Sequence, residues 1–172
     1  MSKPIKNQNK EKVPLRYLPQ SLSKSDKIKY IRELNKSKKQ YPKHSYYLRK
    51  TVKSFHSKPS NHIQNAKTLY KIPNISPTKE LAQKTGCSLA SLQKIVKKGE
   101  GAYFSSGSRP NQTAQSWGLA RLASAITAGK SAAVDYDILE KGCKPNSRAL
   151  KLAKTARKKY GFGHGRTRKV RI

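Results

Sequence analysis

Acid is what this sequence lacks. Of 172 residues, eight are Asp or Glu against 39 Lys or Arg, a formal net charge of +31. Such a chain does not neutralise itself and points to a polyanionic partner: DNA, RNA, an anionic membrane face or an acidic protein surface. Cysteine is scarce too. Cys87 and Cys143 stand alone, and with His44, His56, His62 and His164 they form no CxxC or HxxxH spacing, so no zinc site is expected. A Cys87–Cys143 disulfide requires an oxidising compartment or a mature particle; otherwise the two are separate reduced thiols. Apolar residues make up 34% and aromatics 8%, below the usual globular share, so a core sized to the whole chain is not expected. No apolar run approaches the ~18 residues of a membrane span. The opening MSKPIKNQNKEK has no apolar signal core, which leads us to expect a soluble protein made in the cytosol or nucleus.

The charge that is present is unevenly placed. Residues 1–75 hold 19 Lys/Arg against 3 acids, residues 76–140 hold 8 against 5, and residues 141–172 hold 12 against none. A nearly neutral middle sits between basic ends. Such ends repel themselves and bury little apolar surface, so we expect arms that order on a partner. The implied division is a basic N-terminal arm over 1–59, a central helical domain over 60–155 and a basic tail over 156–172.

Helix signals recur along the chain. Ser23–Lys24–Ser25–Asp26 has a capping-box pattern before Ile28, Ile31 and Leu34, predicting a short helix near 24–38. Residues 41–59 mix aromatics with bases and read as extended. A helix is predicted at 60–71, with Ile63, Ala66 and Tyr70 on one side and Pro73 beyond it. Ser76 as cap and Pro77 at the first helical position open the next, which carries Leu81 and Ala82 and ends at Gly86. Ser88 caps another, with Leu89, Leu92, Ile95 and Val96 as its apolar face and Gly99 closing it.

This frame matches a helix-turn-helix, with Ala82, Gly86 and Leu92 at its small, glycine and apolar positions. Ser88, Ala90, Ser91 and Lys94 would then face a major groove, with Lys97, Lys98, Arg166 and Arg168 as further nucleic-acid contacts. A helical hairpin that merely packs is the other reading.

The passage GEGAYFSSGSRPNQTAQSWGLARLASAI, residues 99–126, holds one acid and no lysine. It reads as packed core plus a tight turn, with Pro110 fixing the backbone after Arg109. Thr113 or Ser116 caps a helix over about 114–128, which Gly129 ends. Ala132, Val134, Ile138 and Leu139 feed one more helix before Gly142. Tyr103, Phe104, Trp117 and Arg121 are expected as core or interface anchors. Arg109 either grips a phosphate or carboxylate as a bidentate donor or satisfies the carbonyls of its own loop.

No enzyme is expected. Gly129–Lys130–Ser131 lacks the earlier glycine of a phosphate-binding loop, since position 124 is Ser124. GFGHG at 161–165 lies in a basic tail with no strand before it. Asp135, Asp137 and Glu140 read as helical pairs with Lys141 or Lys144, or as complements to a helix N-terminus. Neither a cofactor nor a small-molecule substrate is expected.

The stretch KKGEGAYFSSGSRPNQTAQSWGLARLASAITAGKSAAVDYDIL, 97–139, resembles a domain of unknown function from large double-stranded DNA viruses of eukaryotes, with shorter echoes in phages. RYLPQSLSKSDKIKYIREL and ELAQKTGCSLASLQKIVKKG are similar to that family as well, so the resemblance covers about 15–155. It implies viral origin and carries no activity and no catalytic residues.

Together these readings predict a mainly α protein: a small helical domain with a helix-turn-helix-like pair, a Gly/Ser loop and further helices, flanked by extended basic arms. The expected role is a minor capsid component on the inner side of a large icosahedral virion. Its partners would be major and minor capsid proteins, with viral DNA or an anionic inner membrane as further surfaces. The alternative is a nucleic-acid-binding protein, genome-associated or regulatory, working through residues 76–98.

Overall fold

Local signals build most of the helices of the computed structural model, which describes residues 11–163 and 167–172. The order is β1 (Lys12–Pro14), α1 (Lys24–Gln40), α2 (Asn61–Tyr70), α3 (Lys79–Thr85), α4 (Leu89–Ser105), α5 (Ala114–Ala125), α6 (Lys130–Val134), α7 (Tyr136–Gly142), α8 (Arg148–Tyr160) and β2 (Lys169–Arg171). The protein is mainly α, as its helix signals predict. Ser23, Ser88 and Ser147 cap α1, α4 and α8 by accepting a backbone N–H at the third helical residue. Thr113 and Ser116 cap α5 reciprocally.

Two boundaries differ from expectation. Thr78, not Ser76, caps α3, because its side chain accepts from the Leu81 N–H. Gly99 does not close α4, which runs on through Gly101 to Ser105. The reason is tertiary. A Cβ on Gly99 would lie 2.6 Å from the Cα of Gly118, and one on Gly118 would lie 2.7 Å from the Val96 carbonyl oxygen. α4 and α5 touch backbone to backbone there, so the glycine serves the crossing and leaves the helix intact.

Burial falls into two clusters. The larger gathers α2 to α8 around Leu81, Leu92, Ile95, Leu122, Ile126 and Leu139. The smaller is built from Val13, Tyr17, Leu18, Leu22, Tyr30, Leu34 and Val52, with Trp117 and Val170 packed against it. Residues 11–59, expected as an arm, therefore carry a core of their own. β1 pairs antiparallel with β2, Val13 opposite Val170, so residues 12–14 and 169–171 meet; residues 1–10 of the expected arm lie outside the described residues. Full burial of aliphatic side chains, at ~1.5–3 kcal/mol each, outweighs the mutual repulsion of exposed lysines. Residues 141–160 also fold, as the end of α7 and then α8, which hides Ala149, Leu150, Ala153 and Ala156.

Candidate polyanion-binding surface

The turn between α3 and α4 is joined to the turn between α7 and α8. The Ser88 N–H donates to the Gly142 carbonyl at 2.7 Å, and the Lys144 N–H donates to the Gly86 carbonyl at 2.8 Å. Between them Cys87 and Cys143 form an antiparallel bridge and a disulfide. Each half is a short helix, a Gly–Cys pair and a serine-capped helix, and the halves meet through those pairs. Gly86, at φ 75°, lies against Ser147; Gly142 lies against Ser91, where a Cβ would come 1.7 Å from its Oγ.

This arrangement decides where the expected groove-facing residues sit. Ser88 and Ser91 bond to each other, Oγ to Oγ at 2.8 Å, under the end of α7. Ser88, Ser91 and Lys94 share a shallow depression with Asp137, Lys141 and Gly142. Ser91 is thus half-covered by the end of α7, while Ser88, Ala90 and Lys94 at the start of α4 are exposed. Lys94 and Lys97 are exposed. Lys98 is engaged, its Nζ 2.9 Å from Asp135 Oδ1.

Asp135 corrects the sequence expectation most sharply. It is 1% exposed, where a surface acid paired with lysines on its own helix was expected. Arg121 of α5 meets it with both arms of its fork, Nε to Oδ2 at 2.7 Å and Nη2 to Oδ1 at 2.8 Å. Arg121, largely covered, and Lys98, still exposed at the surface, both pair with Asp135 and tie α4 and α5 to the α6–α7 junction.

The SSGSRPN loop is fastened from below. Arg49, 9% exposed, lies 3.8 Å over the Tyr103 ring. Its Nη1 donates to Ser37 Oγ at 3.0 Å and to the Tyr103 carbonyl at 2.5 Å, and its Nη2 donates to Ser108 Oγ at 2.7 Å. Among the described residues no carboxylate pairs with it; the carbonyl end of α4 offsets the charge by its dipole. Arg49 Nε has no partner. Tyr30 Oη donates to the carbonyls of Ser108 and Arg109 at 2.8 and 3.1 Å. Burial pushes that phenol above its usual range, against the opposing pull of Arg49, so it stays a donor. Asn111, at φ 60°, bonds both backbone groups of Val52 and the Phe55 carbonyl. Arg49 was missed in the sequence because nothing in YYLRKTV distinguishes it from its basic neighbours.

The remaining anchors divide. Tyr103 is buried and Phe104 half-buried beside it, ring centroids 5.0 Å apart. Trp117 is half-buried, edge-on to Tyr17 at 6.1 Å. Arg109 is exposed, and Arg49 and Tyr30 supply the loop bonds once allotted to it. Arg168 is exposed, its carbonyl accepting from the Leu15 N–H. Arg166, with His164 and Gly165 of GFGHG, lies outside the described residues. Gly129–Lys130–Ser131 opens the five-residue α6, and there Lys130 Nζ donates to Thr167 Oγ1.

What stands open is cationic. On α8, Lys151, Lys154, Lys158 and Lys159 are exposed, while Arg148 and Arg157 donate to the carbonyls of Leu69 and Ala133. Among the described residues, ion pairs engage Lys38, Lys98 and Arg121 alone. No described group of His, Cys, Asp and Glu is arranged to hold a metal ion. No described helix is long and apolar enough to cross a membrane.

A family model, described as a family of unknown function (DUF5824), matches residues 14–144. The chain belongs to DUF5824. The matched span runs from the last residue of β1 through the Cys87–Cys143 bridge and stops before α8, so it takes in most of both buried clusters but leaves out Val13 and the α8 residues Ala149, Leu150, Ala153 and Ala156. No curated protein and no solved structure matches the chain.

Proposed function

We propose that this DUF5824 protein is a non-catalytic structural component of a virus particle, a minor capsid protein seated against acidic surfaces of its neighbours. The observation that carries the reading is the cationic surface of a chain of net charge +31, with three ion pairs among the described residues. Charge of one sign at this density is a device for holding a polyanion. Contact would run through the folded body, with the lysines of α8 as its best-ordered row. The disulfide supports the same reading, because such bonds persist outside reducing compartments and a mature particle is one such place. Viral origin rests on the sequence resemblance. The alternative is a nucleic-acid-binding role through α3 and α4, where Ser88, Ala90 and Lys94 are exposed and Ser91 lies against Gly142.

The test is cross-linking of purified particles of the source virus followed by mass spectrometry. Links from Lys39, Lys97 or Lys151 to capsid proteins, released as salt screens the contact, are the expected result. Absence from particles, or links to nucleic acid alone, would overturn the capsid assignment.

A further inference from the structure

Residues 45–52 run without regular structure across the ends of α1 and α4. Exposure alternates along them: Tyr46 and Leu48 point out at 61% and 68%, and Arg49 points in. Tyr47 is half-buried between them. Tyr46 meets two other rings edge-on, Tyr41 at 6.2 Å and Phe104 at 5.2 Å, with interplanar angles of 68° and 63°. Tyr41 itself lies over Gly101 of α4, its Oη 3.6 Å from where a Cβ would be. Large apolar side chains this exposed, held in order on a rigid support, mark a contact surface.

The surroundings specify what it contacts. Between Glu33 and Glu80 the sequence has no acid. Lys39, Lys43 and Lys50, close in sequence to Tyr41, Tyr46 and Leu48, are exposed, and Lys36 stands 4.3 Å over the Tyr47 ring. The nearby Glu33 carboxylate is occupied, accepting from Tyr47 Oη and the Lys50 N–H. Glu100 is turned toward Gly118 of α5.

We propose that Tyr41, Tyr46, Leu48 and Phe104 form a platform for single-stranded nucleic acid. Unpaired bases stack on the ring faces, and the lysines meet the phosphates. A duplex keeps its bases stacked within itself and gains only the charge contacts. An acidic peptide would use the lysines and leave the aromatic cluster unexplained. The proposal concerns a different face from α8 and stands whether or not the protein resides in a particle.

The experiment is fluorescence anisotropy of the full-length protein with labelled oligo-dT and oligo-U of about 12 nucleotides, within the usual site range. A duplex of equal length and polyglutamate serve as comparison probes, at about 50 and 200 mM salt. We expect Tyr46→Ala to weaken single-strand binding about 5- to 100-fold, the effect of one lost base stack, with little change on duplex. Tyr46→Phe should retain binding, and the relative strength of dT and U tells DNA from RNA. The thermal midpoint checks the fold, and at 61% exposure Tyr46 is not needed for it. Leu48→Ser, equally exposed, provides a second variant. No binding of either oligonucleotide, or equal loss on duplex and single strand, would overturn the platform. Tyr46-dependent binding of polyglutamate would overturn it in favour of an acidic protein partner.

Discussion

Gly99 of α4 and Gly118 of α5 meet backbone to backbone, so that a Cβ on the first would lie 2.6 Å from the Cα of the second. Neither helix can retreat without opening Leu92, Ile95 and Leu122 behind the crossing. Alanine at an exposed helical glycine gains about 1 kcal/mol. At Gly118 we expect a net loss of about 2 kcal/mol, because overpacking a tight contact costs about 1–3 kcal/mol. For a chain of this size that is a fall of about 4–8 °C in thermal midpoint, read by circular dichroism. A midpoint that rises in Gly118→Ala would show that the helices move apart easily.

Buried Asp135 pairs with two cations, the largely covered Arg121 and the exposed Lys98. Asp135→Asn keeps the volume but leaves Arg121 without a counter-charge at 20% side-chain exposure. Breaking such a pair by removing one partner costs about 3–5 kcal/mol. The double variant Asp135→Asn/Arg121→Met should recover much of that loss, because it removes both charges. Denaturant midpoints of the three proteins check this, and a double variant weaker than the single one refutes the pairing argument.

Arg49→Lys tests the fastening of the Gly/Ser loop. A lysine keeps the charge but cannot reach the Ser37, Ser108 and Tyr103 oxygens with one planar fork. We expect a loss of about 2–3 kcal/mol, in the range for charged hydrogen bonds. Faster amide exchange at residues 105–111 should accompany it. Exchange unchanged at Ser108 would mean that Tyr30 alone holds the loop.

His62 titrates below its ordinary 6.5, through loss of water around an otherwise exposed ring and then the charge of Arg109. The folded protein therefore resists a proton that the unfolded chain accepts near 6.5. The unfolded state binds more protons in that window, so stability falls as pH drops through about 6.5, and the loss is complete below the folded value. Arg109→Gln should move the imidazole titration part of the way back up, followed by NMR. A curve that does not move would place the guanidinium elsewhere.

The disulfide closes a loop with a sequence separation of 56. On the chain-entropy account its removal costs about 4 kcal/mol. Cys87→Ser/Cys143→Ser should melt lower than the oxidised protein and match wild type held in reductant. Free thiols in the oxidised protein, detected by alkylation under denaturing conditions, would show that the cysteines do not pair.

Much of the fold was legible because its signals are local. Serine and threonine caps, apolar spacing of three and four, and Gly86 at positive φ act within a turn or two. They place α1, α2, α4 and α5 within a few residues of their observed starts. The acid shortage is likewise a property of composition alone and holds whatever the fold. What local signals do not carry is which distant residue shares a position. Gly99 ends a helix or lets another helix touch it, and only the arrival of Gly118 decides. Asp135 is a surface acid or a buried counter-ion according to where Arg121 lies, 14 residues away in sequence. Arg49 looks like any base in a basic stretch until the carbonyl end of α4 closes over it. The basic ends read as arms because charge repels, and Val13 meets Val170 because burial wins once the two strands are brought together. Composition and caps thus determined the helices and the excess of positive charge. The tertiary structure alone decided which charges are spent inside and which face out, because each of those pairings depends on distances that the order of residues does not contain.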